Sequence, residues 1–508
     1  MGIFSRGHRA HALLALLGGT LVACGLPPLS WWPLMLVGIA CYIVASEHGD
    51  SRLRIQFVIG VLFAWGWLAP AMGWMWQLVP GGFVIAPLLF ALLHGLAAVV
   101  ASQLGRRTHH DEHSRQSTLT SRIIIRSALH VLVESLRFVT PFGGVPLAGL
   151  ALGVADTRVA QLVRLVGPLG LAFWLFVLAG VLAELWLRRS QFGWLARRNS
   201  LVVLMLLVGA QVLGTLAPHG NDTGQTLRIA VVQGGGPQAV LAIDSNPAEV
   251  IERHLQATKL LQPEDDIDLV IWPENAIDVS DFRTSAIRDA IIAEARRIDA
   301  PFAVGVTESI GNGFTNAQLI VDQDGVEVSR YDKVRRVPYG EYIPLRSLLK
   351  TLGAPVDRIP RDAVAGTRPA LLRLPDGEPI AVAISWEVFF SGRVNDGIAA
   401  GGQLVINPTN GSSYTGEILQ RQQVATSQLR AIESARYVAQ VATTGYSLIV
   451  DDDGRVRQRI PIGKQAVIFQ DVPLRTGRTM YSHLGDAPIA ALLFVVIGFL
   501  VWRGRRDK

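Results

Sequence analysis

Over its first 217 residues the chain alternates long apolar runs with short polar breaks, and then it changes rhythm. The runs lie near 10 to 25, 31 to 46, 55 to 78, 83 to 104, 123 to 155, 163 to 187 and 200 to 217, with an eighth near 485 to 502. A bilayer is crossed by roughly 17 to 25 such residues in a helix. The pattern therefore predicts a membrane domain of seven helices over 1–217, a last membrane helix over 485–502, and a basic tail at 503–508. Between them, over 227–475, short apolar runs are separated by polar, helix-compatible stretches, the pattern of an α/β domain.

Charge placement orients the helices. Short cytoplasmic loops collect Arg and Lys, and Arg6, Arg9, Arg52, Arg54, Arg106, Arg107, Arg115, Arg188, Arg189, Arg197 and Arg198 all fall at alternate breaks, as do Arg503, Arg505, Arg506 and Lys508. The intervening breaks Gly25 to Ser30 and Val79 to Gly82 carry neither residue, and the third holds only Arg158. The α/β domain is thereby expected on the extracytoplasmic face of a multi-pass membrane protein. The fifth run carries Arg126, Glu134 and Arg137; Glu134 and Arg137 stand three apart on a helix, where they pair.

Composition narrows the chemistry. Half of the 508 residues are apolar and 17% are charged, and the net charge of +6 sits in clusters beside apolar segments, which points to a membrane and not to nucleic acid. The two cysteines, Cys24 and Cys41, both lie in the first apolar runs. Neither a disulfide framework nor a cysteine-built zinc site is expected. Leu21-Val-Ala-Cys24 after a basic start is similar to a lipoprotein signal, but the second apolar run follows at once, as in a membrane hairpin. Thr108-His-His-Asp-Glu-His113 reads as a solvated loop, so no metal and no cofactor is expected.

In the α/β domain, strands are predicted at 227–233, 269–272, 302–306, 317–321, 380–384, 403–406, 437–442, 447–450 and 466–469, and helices at 247–261, 285–298 and 421–436. Asp451-Asp-Asp-Gly454 and Gln323-Asp-Gly325 read as hairpin turns, and Gly234-Gly-Gly-Pro237 reads as a turn lacking the spacing of a phosphate loop. Three motifs sit at strand ends. Trp272-Pro-Glu-Asn-Ala276 offers Glu274; the stretch Tyr331 to Pro344 offers Lys333 and Glu341; and Ala381-Val-Ala-Ile-Ser-Trp-Glu runs an apolar strand into Ser385 and Glu387. Carboxyl ends of buried strands are where ligands bind in open α/β sheets.

The order and spacing of these motifs resemble the Glu, Lys, Cys arrangement of the nitrilase (carbon-nitrogen hydrolase) superfamily. With seven membrane helices before it and one after, the whole chain resembles the apolipoprotein N-acyltransferase family. That resemblance implies an eight-helix membrane domain and a nitrilase-like α-β-β-α sandwich. It further implies an acyltransferase that moves a fatty acyl chain from a phospholipid to the amino group of the diacylglyceryl-cysteine of a lipoprotein. By the resemblance, Glu274 is the general base, Lys333 stabilises the oxyanion, and Glu341 and Glu387 support the lysine and the leaving groups. Acyl transfer needs such a nucleophile, base and positive group together.

The chain departs from the family at the nucleophile, where Ser385 stands in place of cysteine. An alcohol depends on its base more than a thiol does, so the acyl-enzyme is expected as an oxygen ester. Trp386, Tyr342 and Asn410 are expected to line the substrate site, with the loop Asn407 to Tyr414. Leu345, Leu348, Leu349 and Leu352 follow at helical spacing, suited either to an apolar flap or to ordinary packing. Two other readings stay open: a membrane-anchored amide hydrolase, and a non-catalytic scaffold for a partner such as a polyprenyl-phosphate mannose synthase.

Overall fold

The computed structural model describes residues 6–48, 52–78, 80–106, 115–187, 194–237, 246–411 and 416–506. The loop Thr108 to His113 and the end of the loop Asn407 to Tyr414 lie outside them. The chain divides into two compact units, Met1–Ala217 with Leu484–Lys508, and Pro218–His483.

In the first unit, long helices span Arg6–Gly25, Trp32–His48, Leu53–Ala71, Pro80–Arg106, Arg115–Arg137, Val163–Leu187, Trp194–Leu216 and Ala487–Arg506. Four segments among the described residues are long and apolar enough to cross a membrane: Leu53–Ala71, Pro80–Arg106, Arg158–Leu187 and Ala487–Gly504. The fifth expected run, 123 to 155, is not one helix. It ends at Arg137, because Thr140-Pro141 and Gly143-Gly144 cannot continue it. Residues 138–162 instead pack as turns with two short 3-10 segments.

Arg126, Glu134 and Arg137 of that helix are buried and paired. Arg137 Nε donates to Glu134 Oε1 at 3.0 Å, and a row continues through His94, 3.3 Å from Glu134, and His130, 2.8 Å from His94, to the Tyr42 hydroxyl at 2.6 Å. Polar groups among apolar helices must find partners, and this row ties helices 32–48, 80–106 and 115–137 together.

The second unit holds thirteen strands among the described residues: β1 (Asn221–Gln233), β2 (Leu269–Ile271), β3 (Ile277–Val279), β4 (Phe302–Ile310), β5 (Gly313–Val321), β6 (Glu327–Asp332), β7 (Leu371–Arg373), β8 (Pro379–Val382), β9 (Val405–Thr409), β10 (Val438–Ala442), β11 (Ser447–Val450), β12 (Val456–Ile460) and β13 (Ala466–Thr476). One sheet has the order β13-β1-β2-β4-β5-β6, with β3 on β4; the other is β12-β11-β10-β9-β8-β7. Pairing is parallel across β1-β2-β4 and β8-β9-β10 and antiparallel towards the edges.

Alternation along β1 explains the layers. Leu227, Ile229 and Val231 face one way, into a core shared with Val382, Ile406 and Val441 of the other sheet. Ala230 and Val232 face the other way, against Ala257, Ile291 and Ala295 of the helices Pro247–Thr258 and Ala286–Ile298. The helix Ile418–Ser434 packs against β10 and β11 of the second sheet. The result is an α-β-β-α sandwich, in which each fully buried Val, Leu or Ile contributes roughly 1.5–3 kcal/mol. Strands β3, β6, β7 and β12 escape the hydrophobic pattern, because each is short or edge-placed and pairs by backbone alone on one side.

His254 is expected to make this domain acid-sensitive. Its Nδ1 lies 2.7 Å from Val250 O and its buried Nε2 has no hydrogen-bond partner, so a second proton would be uncompensated. Burial pushes its pKa down to about 4, whereas in the unfolded chain it titrates near ~6.5. The unfolded state therefore binds the extra proton first, and stability is lost as pH falls from about 6.5 to about 4, by on the order of 3 kcal/mol. In thermal unfolding between pH 7 and 4.5, the midpoint of His254→Gln is expected to fall less than that of the parent. Equal slopes would remove His254 as the cause.

Candidate active site

Five of the expected residues leave the sheets at strand carboxyl ends. Glu274 follows β2, Lys333 follows β6, Ser385 and Glu387 follow β8, and Asn410 follows β9. Gly305 of β4 is required beneath the first of these, since a Cβ there would lie 2.1 Å from Pro273 O.

Lys333 sits between two carboxylates. Its Nζ donates to Glu274 Oε1 at 2.7 Å and to Glu341 Oε1 at 2.9 Å, and all three side chains are buried. Asn316 Nδ2 donates to the same two oxygens at 2.8 Å each. The outer oxygens are held by backbone: Asn410 N donates to Glu274 Oε2 at 2.9 Å, and Val337 N to Glu341 Oε2 at 2.7 Å. Burial works against the charge on Lys333, but the carboxylates of Glu274 and Glu341 outweigh it and hold the ammonium above the ordinary lysine range. A cation kept charged suits an electrostatic role and not a nucleophilic one.

Ser385 opens a 3-10 turn, Ser385–Phe389, directly after β8. Its φ of 51° lies in the left-handed region, which a non-glycine residue adopts at a cost of about 1–3 kcal/mol and which is concentrated at functional sites. A sharp strand-to-turn elbow of this kind lifts a nucleophile out of the sheet. The Ser385 hydroxyl lies 3.1 Å from Thr409 Oγ1, which in turn meets the Gln423 side chain at 2.9 Å. Thr409 and Asn410 are adjacent, so the neighbour of Ser385 and the holder of Glu274 share one strand end.

Glu387 supports the site in a different way from the one the resemblance implies. It accepts from Tyr331 OH at 2.8 Å, from Val334 N and Arg335 N at 2.9 Å, and from Ile384 N at 3.0 Å. It thus clamps the chain just after Lys333 to the chain just before Ser385. Burial raises its pKa, against the backbone N–H of Arg335, the Tyr331 hydroxyl and the Arg393 guanidinium, which favour its charge. Arg393 Nε in turn donates to Tyr331 OH at 3.0 Å.

The remaining expectations divide. Trp386 packs against Phe389 and Phe390 beside the elbow, with ring centroids 5.5 and 5.7 Å apart. Tyr342 lies under the Arg336 guanidinium, 4.4 Å from its ring centroid, and not against the Lys333 cluster. The Asn410 side chain accepts from Thr443 Oγ1 at 3.1 Å. Leu345, Leu348 and Leu352 are exposed, so packing does not account for the leucine helix. In Gly234 to Pro237 the N–H groups of Gly235 and Gly236 donate to Thr443 O and Gly463 O, so the segment is an irregular loop tied to distant backbone and not the local turn expected.

Sequence reading missed Asn316, Thr409, Gln423 and Tyr331. Asn316 left a signal: with Gln318 it is a polar residue at alternate positions of an otherwise apolar buried strand. Thr409 was marked only as part of the loop Asn407 to Tyr414, and Gln423 left no signal, because only the fold brings them to Ser385.

A buried Glu, Lys, Glu cluster and a strand-end serine, joined through Thr409 and Asn410 in an α-β-β-α sandwich, fit the nitrilase-like class of protein. The carbon-nitrogen hydrolase family matches residues 228–481, and the apolipoprotein N-acyltransferase N-terminal domain matches residues 18–181. The chain belongs to the carbon-nitrogen hydrolase superfamily and, within it, to the apolipoprotein N-acyltransferase family of acyltransferase enzymes. It is 28% identical to the apolipoprotein N-acyltransferase of Mycolicibacterium smegmatis over 523 residues, covering 97% of this chain and 85% of that one. With the Shewanella oneidensis apolipoprotein N-acyltransferase it shares 23% identity over 528 residues, covering 99% and 97%. Among solved structures, Saccharomyces cerevisiae Nit3 of the nitrilase superfamily is similar at 15% identity and a TM-score of 0.38, over 54% of this chain and 97% of that one.

Proposed function

We propose that this chain N-acylates lipoproteins through an acyl-enzyme on Ser385, with a membrane phospholipid as donor. The observation that carries the reading is the buried pairing of Lys333 with Glu274 and Glu341, two strand ends away from a serine in a left-handed elbow. In the first half-reaction Ser385 Oγ bonds to the ester carbonyl carbon of the phospholipid. Its proton passes to Glu274, and the Lys333 ammonium stabilises the charge that develops on the carbonyl oxygen. The ester C–O bond breaks, and the lysophospholipid oxygen leaves with that proton. In the second half-reaction the α-amino nitrogen of the lipoprotein's diacylglyceryl-cysteine attacks the same carbon. It loses a proton to Glu274, and the proton returns to Ser385 Oγ as the acyl-enzyme breaks. Trp386 walls the acyl chain, and Glu341 and Glu387 keep Lys333 and the elbow in register.

The same reading has eight membrane crossings, seven in 1–217 and one in 485–502, with the catalytic domain of 227–475 on the extracytoplasmic face and the tail 503–508 in the cytoplasm. The alternation of arginine-bearing and arginine-free breaks supports it. That side holds both the lipid donor and the acceptor's modified cysteine.

Cells lacking the protein should accumulate lipoproteins with two acyl chains. Complementation with the wild-type chain is expected to add a third on the α-amino group, read by mass spectrometry of the N-terminal peptide. Failure of the wild type to add it would sink the acyltransferase reading.

A further inference from the structure

A cavity of about 520 Å³ opens beside the Glu341 loop, and Arg336, Arg346, Arg361, Asp362 and Val364 are among its lining. It does not include Ser385 or Lys333, but backbone bonds join its wall to theirs: Ala363 N donates to Glu341 O at 2.8 Å and Gly366 N to Lys333 O at 2.9 Å. Each guanidinium is anchored by part of its donor set. Arg336 donates to Ala363 O at 2.7 Å, Arg346 to Val356 O at 3.1 Å and Ile359 O at 2.9 Å while pairing with Asp362, and Arg361 to Ser309 Oγ at 3.0 Å. An arginine carries five donors, so these contacts orient the three forks without exhausting them. The cavity lining holds three guanidinium groups and one carboxylate, Asp362, which is paired with Arg346; Asp278 outside the lining also feels Arg361, and the balance stays positive.

Its rim is apolar. Ile310 and Val364 stand half exposed, and on the helix Arg346–Thr351 and its flanks Leu345, Leu348 and Leu352 are 63%, 54% and 71% exposed. Arginine forks match phosphate oxygens in geometry and charge, and exposed leucines beside basic residues match a lipid surface.

We propose that this cavity receives the phosphodiester of the phospholipid donor, with the leucine-bearing rim against its acyl chains; the inference rests on the acyl-transfer reading above. It gives the enzyme a means of telling its two lipid substrates apart. The donor carries a phosphate beside the reacting ester, whereas the diacylglyceryl group of the acceptor carries none. The first half-reaction is thus assigned to the lipid the arginines hold, and the acceptor enters without that contact.

The test uses the full-length chain in detergent micelles with two acyl donors, a phospholipid and a phosphate-free p-nitrophenyl fatty acyl ester, both followed as acyl-enzyme formation. In Arg361→Gln the ratio of KM for the phospholipid to KM for the ester is expected to rise about tenfold, the usual worth of one charge-assisted bond. It should rise further in Arg361→Glu and recover in part in Arg361→Lys. Equal changes in both KM values, or none in either, would overturn the assignment. So would competition by inorganic phosphate as tight as the phospholipid's own binding, which would make the cavity a site for the free anion. A wild type acylated by the ester and never by phospholipid would fell the donor reading and this inference together, a result distinct from equal KM shifts.

Discussion

Ser385→Ala is expected to lose acyl-enzyme formation by at least about 10³-fold, while Ser385→Cys keeps it or gains. The alanine variant removes the atom proposed to form the covalent bond, and loss of a nucleophile is among the largest single effects known in acyl-transfer enzymes. Its fold should survive, because alanine fits wherever serine does and the strain at φ 51° is a property of the elbow, held by Glu387 from both sides. The cysteine variant substitutes a group that ionises more readily and is intrinsically more nucleophilic. Its hydrogen bond to Thr409 weakens, but Glu274, Lys333 and Glu341 hold one another through bonds that do not involve residue 385. Intact-protein mass spectrometry with a phospholipid donor reads the adduct directly. Neutral hydroxylamine should release it from the cysteine variant as a thioester and leave the oxygen ester of the parent in place. An alanine variant that still carries the acyl group would move the nucleophile elsewhere.

Lys333→Met should fail twice, in stability and in chemistry. The variant leaves Glu274 and Glu341 facing one another across the space one ammonium filled, with Asn316 as their shared donor. Removing one partner of a buried ion pair costs about 3–5 kcal/mol, because the charge left behind is uncompensated. Like charges at short range raise each other's pKa, so the variant's loss of thermal midpoint should be smaller at pH 5.5 than at pH 8. Acyl-enzyme formation should fall by about 10²–10³-fold through the lost oxyanion contact. The double variant Lys333→Met/Glu341→Gln separates the two effects, since it removes the surplus charge and should recover midpoint without recovering rate. Recovery of both would show that Lys333 acts only as scaffolding.

Glu387 shows why the role of a motif residue is not legible from its neighbours in sequence. In the chain it stands two residues after Ser385 and invites a direct part in catalysis. In the fold it is fully buried and accepts from four donors, Tyr331 OH, Val334 N, Arg335 N and Ile384 N, which join the Val334-Arg335 segment to the elbow. Its hydrogen-bond partners are the Tyr331 hydroxyl and backbone N–H groups, whereas Lys333 Nζ is paired with Glu274 and Glu341, an arrangement that fits a positioning role. Tyr342 illustrates the same limit, since it is spent beneath Arg336 at the edge of the cavity.

The sequence by itself determined the two-part organisation, because membrane helices and buried strands are written in local runs of apolar residues whose lengths differ by severalfold. It also determined the strand ends that bear Glu274 and Ser385, since a polar residue terminating an apolar strand is a local feature; Lys333 stood out by its motif alone, because β6 before it has no apolar run. The break after Arg137 was equally local, in Thr140-Pro141 and Gly143-Gly144, but hydrophobicity masked it. Only the tertiary structure decided which groups meet: Asn316 with both carboxylates, Thr409 with Ser385, and Arg336, Arg346 and Arg361 around one cavity. Each of those contacts crosses between strands or loops far apart in the chain. Their geometry is set by sheet register and by turns such as the Ser385 elbow, to which no periodicity along the sequence is sensitive.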